Sequence, residues 1–147
     1  MTKFKKRFKI REKQFKQLIE EINKNDPKKL IPTIIIGDFN VQAETKEYTS
    51  MNNYLQSNGF RDSWSVNKGD LGGSTWNSFE NTWGQIIDRA SQTESRLDYI
   101  FVRDGDSIID IENVELVFNE KVQLDLSDDK KYFLSDHFGV KLDFLVK

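Results

Sequence analysis

The segment from residue 34 to residue 40 reads Ile34-Ile35-Ile36-Gly37-Asp38-Phe39-Asn40. The apolar run that leads into this segment starts at Leu30 and ends at Ile36, before Gly37. It has the pattern of a strand that is buried on both faces. Asp38 and Asn40 follow this strand, where sheet proteins often place ligand-binding groups. In an extended backbone the two side chains point to the same side. The alternative is an Asx-type turn, in which they only satisfy the loop backbone.

The predicted elements around this segment alternate between helix and strand. Apolar residues three, four or seven positions apart indicate amphipathic helices, and short apolar runs indicate strands. The predicted helices are Lys3 to Asn25 and Thr45 to Ser57, and the predicted strands are Leu30 to Ile36, Arg96 to Val102, one or two within Asp106 to Phe118, and Val140 to Val146. A loop-rich stretch from Arg61 to Ser95 holds all three tryptophans. Loops of this length in compact domains tend to be functional. The fold class is α/β.

Composition limits the function classes. The 147 residues suit one domain, and a formal charge of -2 does not demand a nucleic-acid partner. The chain has no cysteine, which excludes disulfides, thiolate zinc sites and a cysteine nucleophile. No apolar run resembles a signal peptide or is long enough to span a bilayer. We therefore expect a soluble protein, and the compartment stays open.

Two further places carry chemistry-bearing side chains. Asp98 lies within an apolar strand, and a desolvated carboxylate needs a partner such as arginine, histidine or a metal. A salt bridge from Asp98 to Arg96 is the structural alternative. His137, the single histidine of the chain, follows Asp136 just before the last strand. An isolated histidine near a turn is more often a surface or core residue than a functional one.

Taken together, these positions favour one site. Asp38, Asp98, Asp136 and His137 each stand near a strand end, so neighbouring strands would bring them to one end of the sheet. Oxygen ligands with one histidine and no cysteine suit a hard cation such as magnesium better than structural zinc. Carboxylates with a hard cation suit phosphoryl transfer, in which a base activates water.

Three motifs resemble those of a known family, in the same order. They are Gly37-Asp38-Phe39-Asn40, Arg96-Leu97-Asp98-Tyr99 and Ser135-Asp136-His137. The chain is similar in them to the endonuclease/exonuclease/phosphatase superfamily, which has the DNase I-like fold. The resemblance implies the C-terminal half of a four-layer α/β sandwich, with mixed, mainly antiparallel sheet.

The resemblance also implies roles for the matching residues. His137 would be the general base that activates water, and Asp98 would orient its ring. Asp38 and Asn40 would hold the attacking water or the phosphoryl oxygens. Asp136, with Asp38, would coordinate the metal, which is Mg²⁺, with Mn²⁺ or Ca²⁺ able to substitute. The function implied is a metal-dependent phosphodiester hydrolase.

A fourth segment concerns the substrate. Thr75-Trp76-Asn77, followed by Asn81, is similar to a Thr-Trp-Asp...Asn segment of the sphingomyelinases, with Asn77 in place of the acid. The resemblance makes Trp76 and Asn77 candidate substrate-binding residues, together with Asn40. Packing under the long loop is the alternative for Trp76. We favour a phospholipid or another small phosphodiester, and an endonuclease or exonuclease that acts on nucleic acid is the alternative.

One part of the family pattern is missing. The family supplies a metal-binding glutamate from strands that precede the first helix of this chain. Residues 1–147 would therefore be one domain without its N-terminal half. Two hypotheses follow, an enzyme that a further segment of polypeptide completes, and a truncated non-catalytic fragment.

Overall fold

The computed structural model describes residues 3–69, 71–87, 92–123 and 130–147, and for residues 3–6 the backbone only. The helices are α1 (Lys3–Asn25), α2 (Lys46–Ser57), α3 (Ser63–Lys68) and α4 (Thr82–Ile87). The strands are β1 (Thr33–Asp38), β2 (Arg61–Asp62), β3 (Trp76–Asn77), β4 (Glu94–Ser95), β5 (Asp98–Arg103), β6 (Ile109–Val117), β7 (Val122–Gln123), β8 (Lys131–Tyr132) and β9 (Gly139–Val146). Short elements thus interrupt the predicted loop-rich stretch. Within the described residues, no helix has both the length and the hydropathy to cross a bilayer.

The two long helices follow their predicted bounds. Helix α1 spans the predicted residues, and α2 begins one residue later because Thr45 is its N-cap, with Oγ1 accepting from the Tyr48 backbone amide. Strand β1 begins at Thr33, later than the predicted Leu30. The Asp26 carboxylate accepts from the backbone amides of Leu30 and Ile31, at 2.9 and 3.0 Å. These amides are therefore not free for a strand ladder.

The main sheet has three strands in the order β1-β5-β2, and both pairings are antiparallel. Strand β5 lies in the centre, and residues 99–103 are all buried. It begins at Asp98 instead of the predicted Arg96, because the Arg96 carbonyl accepts from the Ala43 amide in the loop after β1 and not from a strand partner. Asp38 and Asp98 are cross-strand neighbours in the register of β1 and β5. The end of β1 and the start of β5 therefore meet at one end of the sheet.

Apolar clusters cover both faces of this sheet. On one face, α1 and α2 contribute Ile19, Met51 and Leu55 to a cluster with Ile35 and Phe101 of the strands. The other face packs against a second sheet, in which β6 and β9 pair antiparallel. That cluster contains Ile100, Val102 and Ile109, with Ile34, Ile111, Val140 and Leu142 packed against it. The two long helices, the main sheet and the β6–β9 sheet thus form three layers.

A buried ion pair lies beneath the start of β5. Arg96 Nη1 donates to Asp62 Oδ2 at 2.6 Å, and the two side chains are 2% and 1% exposed. Asp62 also accepts from Tyr48 Oη at 2.7 Å and, as the N-cap of α3, from the Trp64 backbone amide at 3.0 Å. The guanidinium lies over the rings of Tyr48 and Tyr99, at 5.5 and 4.8 Å from the ring centroids. Asp62 is therefore the counter-ion of a fully buried arginine.

Candidate active site

The clearest feature at this end of the sheet is a histidine–aspartate pair. His137 Nδ1 lies 2.7 Å from Asp98 Oδ2, and each side chain is 24% exposed. Asp98 starts β5, and His137 lies just before β9 and forms a β-bridge with Trp76. The alternative partner of Asp98 is not used, because Arg96 pairs with Asp62. Within the described part of the chain Nε2 of His137 has no hydrogen-bond partner.

Acidic neighbours alter the protonation of His137. The hydrogen bond to Asp98 raises the pKa of His137 above its usual value, partial burial opposes this, and the charges of Asp98, Asp38 and Asp136 raise it further. Such a ring is a better proton acceptor than a free imidazole, and Asp98 stabilises its protonated form. The pair has the geometry of a base with an orienting carboxylate.

Asp38 and Asn40 form one compact unit at the end of β1. The Asn40 backbone amide donates to Asp38 Oδ1 at 2.7 Å, and Asn40 Nδ2 donates to Asp38 Oδ2 at 2.8 Å. Asn40 has a φ of 51°, so the backbone is not extended here and Asp38 forms an Asx-type turn. A contact of these two side chains with water or a phosphoryl oxygen stays a prediction. The turn nevertheless lies beside Asp98, because Asp38 and Asp98 are cross-strand neighbours.

Asp136 precedes His137 in a hydrogen-bonded bend. Ser135 Oγ donates to Asp136 Oδ1 at 3.1 Å, and the His137 amide donates to Ser135 Oγ at 3.3 Å. The charge of Asp136 contributes to the raised pKa of His137. The structure thus gathers Asp38, Asn40, Asp98, Asp136 and His137, which the sequence singles out although they are far apart along the chain.

The two candidate substrate-binding residues of the loop have different surroundings. The Trp76 ring meets the His137 ring edge-on, with the centroids 5.2 Å apart, and Trp76 is partly exposed. It is therefore adjacent to the histidine. Asn77 is 9% exposed, and its Oδ1 accepts from the backbone amides of Phe79 and Glu80. These bonds shape the loop, and a contact of Asn77 with substrate stays a prediction.

The predicted metal ligands do not form a metal site by themselves. The carboxylates of Asp38 and Asp136 suit a hard cation in their chemistry. Among the described residues, however, no three or more histidine, cysteine, aspartate or glutamate side chains are grouped so that they could hold a metal ion. Both Asp38 oxygens also accept hydrogen bonds from Asn40. A metal bound here would need at least one further ligand.

Asn81 and Tyr99 belong to the matched motifs, and in the structure their side chains hold this site together. Asn81 is fully buried, and its Nδ2 donates to the carbonyls of Ser135 and Asp136 at 2.8 and 3.2 Å. Tyr99 Oη donates to the Val41 carbonyl at 2.6 Å, which ties the loop after β1 to β5. The types and spacing of the motif residues did not indicate these backbone partners.

Comparison with known proteins gives the fold. No family model matches the chain, and no curated protein matches it in sequence. Solved structures do match. TDP2 from D. rerio, in complex with a single-stranded DNA product, has a TM-score of 0.69 and 22% identity, over 92% of this chain and 49% of that one. The mannosyl-6-phosphatase from Bacteroides thetaiotaomicron VPI-5482 has a TM-score of 0.62 and 22% identity, over 93% of this chain and 46% of that one.

A third structure carries the family name itself. An endonuclease/exonuclease/phosphatase family protein from Bacteroides thetaiotaomicron has a TM-score of 0.64 and 24% identity, over 92% of this chain and 45% of that one. This chain thus spans less than half of each of these three proteins. The predicted fold class is confirmed: the chain has the endonuclease/exonuclease/phosphatase (DNase I-like) fold and corresponds to its C-terminal half.

Proposed function

We propose that this chain carries the general-base half of a site that hydrolyses phosphodiesters with the help of a divalent metal ion. The observation that carries the proposal is the 2.7 Å contact between His137 Nδ1 and Asp98 Oδ2. A base held by a carboxylate, with its second nitrogen free of described partners, is suited to take a proton from water. The hydrolytic neighbours of the same fold support this reaction class.

The proposed reaction uses the residues in distinct roles. His137 Nε2 removes a proton from water while the water oxygen bonds to phosphorus and the bond to the leaving oxygen breaks. Asp98 keeps the Nδ1 proton in place and stabilises the imidazolium that forms. The leaving oxygen takes up a proton from solvent, and the imidazolium later releases its own. Asn40, whose Nδ2 already donates to Asp38, offers its amide to the water or to a phosphoryl oxygen.

The metal is part of this proposal through the resemblance and the donor chemistry. Mg²⁺ is the predicted ion, with Mn²⁺ or Ca²⁺ as substitutes, and Asp136 and Asp38 are its candidate ligands. A bound Mg²⁺ neutralises charge on phosphoryl oxygens. Because the described residues offer no complete set of ligands, we propose that another segment supplies the remaining ligand.

The outer edge of β1 is an open surface that such a segment could cover. Within the described residues β1 pairs only with β5, so its second edge has no strand partner. Ile36 on this strand is 71% exposed. A groove of about 730 Å³ lies between α1 and β1, and Leu18, Ile36 and Asp38 are among its lining residues. Open strand edges and apolar surface of this kind are normally covered in a folded protein. We propose that the predicted N-terminal half covers them.

The segment around Trp76 bears on the substrate class of the proposed hydrolysis. We favour a sphingomyelinase-like phosphodiesterase, because the Thr75-Trp76-Asn77 segment resembles that group and Trp76 lies against His137. A nuclease is the second candidate, and the observation that favours it is the similarity to TDP2 in complex with a single-stranded DNA product. A panel of sphingomyelin, single-stranded DNA and a generic phosphodiester distinguishes the two.

The test compares the chain alone with the chain completed by an N-terminal half, either encoded upstream of Met1 or added as a second polypeptide. We expect the completed protein, with Mg²⁺, to hydrolyse one member of the panel. His137→Ala should then lower turnover by about 10²–10⁴-fold, the usual contribution of a general base. Asp110→Asn, in an exposed ion pair with Lys147 on the second sheet, is the control and should keep full activity. Unchanged turnover in His137→Ala would refute the role of the base, and no hydrolysis by the completed protein would favour the non-catalytic fragment.

A further inference from the structure

Thr75 contacts the backbone on both sides of the histidine–aspartate pair. It is fully buried, at 0% exposure. Its Oγ1 accepts from the backbone amides of Leu97 and Asp98, at 3.1 and 3.2 Å. Its own carbonyl accepts from the backbone amide of Phe138, next to His137, at 2.7 Å. One residue is thus bonded to the segment that carries the carboxylate and to the segment that carries the ring.

The sheet topology explains why a hydroxyl is needed there. Strand β5 pairs with β1 on one edge, and on the other edge β2 reaches only Phe101 and Val102. At Leu97 and Asp98 the short β2 provides no carbonyl, and the Thr75 hydroxyl takes its place as acceptor. Backbone amides that are shielded from water need such a partner. Asp98 is therefore paired with β1 on one edge of β5, and on the other edge its backbone amide depends on a side chain.

The residue after Thr75 strengthens the link to His137. Trp76 forms a β-bridge with His137 and meets its ring edge-on. The Thr75-Trp76 dipeptide therefore runs alongside the His137-Phe138 dipeptide, while the Thr75 hydroxyl reaches across to Asp98. Residues 75 and 76 thus connect the two members of the pair.

We propose that Thr75 is a positioning residue: its hydroxyl and its carbonyl together hold Asp98 Oδ2 and His137 Nδ1 at hydrogen-bonding distance. This inference rests on the proposed function, in which His137 is the base. Thr75 itself is not a catalytic residue, because it acts through Asp98. A hydrogen bond weakens steeply when its partners move apart or tilt, so a small displacement of the Asp98 backbone is enough to disturb the pair.

The experiment measures the pair directly, without turnover. Because the chain has one histidine, ¹⁵N-labelled protein gives a single set of imidazole signals. At a pH where the ring is neutral, the ¹⁵N shifts report which nitrogen carries the proton. The wild-type chain should be protonated on Nδ1, which donates to Asp98. Thr75→Val keeps the shape but removes the hydroxyl, and we expect the proton to shift toward Nε2, the form that free histidine prefers. Thr75→Ser keeps the hydroxyl and should retain the wild-type tautomer.

Three outcomes would overturn the proposal. The first is an unchanged tautomer in a folded Thr75→Val variant, and the second is the same change in Thr75→Ser as in Thr75→Val. The third does not depend on any variant: amide hydrogen exchange in the wild type should show protected amides at Leu97 and Asp98, and exchange at the rate of open amides would contradict the hydroxyl contact. Since none of these measurements uses substrate, a failure of the proposed hydrolysis and a failure of the Thr75 proposal remain distinguishable.

Discussion

Removing the charge of Asp62 tests the packing beneath the site. In Asp62→Asn the side chain keeps its shape, but Arg96, at 2% exposure, loses its counter-ion. Breaking a buried ion pair by removing one partner costs about 3–5 kcal/mol. The amide oxygen of asparagine can still accept a hydrogen bond, and the rings of Tyr48 and Tyr99 still face the guanidinium. We therefore expect Asp62→Asn to lower the free energy of unfolding by about 3 kcal/mol, the low end of this range.

Urea denaturation followed by far-UV circular dichroism measures this loss. With an m-value of about 1–3 kcal/mol/M, a loss of 3 kcal/mol lowers the midpoint by about 1–3 M urea. The control is Asp110→Asn, which removes an exposed partner of Lys147, and its midpoint should stay where it is in the wild type. The double variant Asp62→Asn/Arg96→Met has no buried unpaired charge and should recover part of the loss.

Two results would refute this reasoning about Asp62. One is a midpoint for Asp62→Asn that equals the midpoint of Asp110→Asn. The other is a double variant that is no more stable than Asp62→Asn alone. In either case the uncompensated charge of Arg96 would not be the cause of the lost stability. Burial by itself disfavours the charge of Arg96, but the Asp62 carboxylate outweighs it, so that the pKa of Arg96 is raised.

Three further predictions concern the site and its open edge. Asp98 raises the pKa of His137, and the base must be neutral to accept a proton. Asp98→Asn should therefore move the acid limb of the pH profile of kcat/KM in the completed protein to lower pH. A limb that stays in place would exclude His137 as the titrating base. A raised folded-state pKa gives stability that is present below the unfolded-state value of about 6.5 and is lost as the pH rises through the folded value, so His137→Asn should destabilise the chain more in urea at about pH 6 than at about pH 9. Equal losses at both pH values would contradict the raised pKa. Ile36→Lys on the exposed edge should leave the urea midpoint of the chain alone unchanged but prevent association with an N-terminal half in calorimetry; association at wild-type affinity would show that this edge is not the contact.

The sequence predicts the main elements because their patterns are local. The helix from Lys3 to Asn25 has the bounds that its apolar spacing indicates. Both misplaced strand starts, at Leu30 and Arg96, have a cause that is distant in the chain or depends on side-chain geometry. The Asp26 carboxylate accepts from the amides before β1, and the Ala43 amide in the loop after β1 donates to the Arg96 carbonyl. These hydrogen bonds do not change the hydropathy pattern, so the spacing of apolar residues does not reveal them.

The candidate site shows the same division. The residue types and the three motifs single out Asp38, Asp98 and His137, and the register of β1 and β5 brings the two aspartates together. The sequence offers the turn at Asn40 only as one of two alternatives, and it does not predict the buried contacts of Thr75. Both the choice of turn and these contacts depend on backbone conformation and on partners in other loops. Motifs thus indicate which residues carry the chemistry, and the tertiary structure decides what holds them.

The turn at Asn40 has a consequence for evolution and design. The proposed role of this position demands a left-handed backbone, a side-chain N–H donor for Asp38 Oδ2 and a side-chain carbonyl oxygen that can accept. Glycine meets only the first demand, and aspartate tolerates the backbone but would place a second negative charge against Asp38. Alanine would be strained. Of the residues that tolerate this conformation, asparagine alone satisfies all three demands. A redesigned site, or a library of variants, therefore has almost no freedom here, whereas the chemistry of neighbouring positions can change.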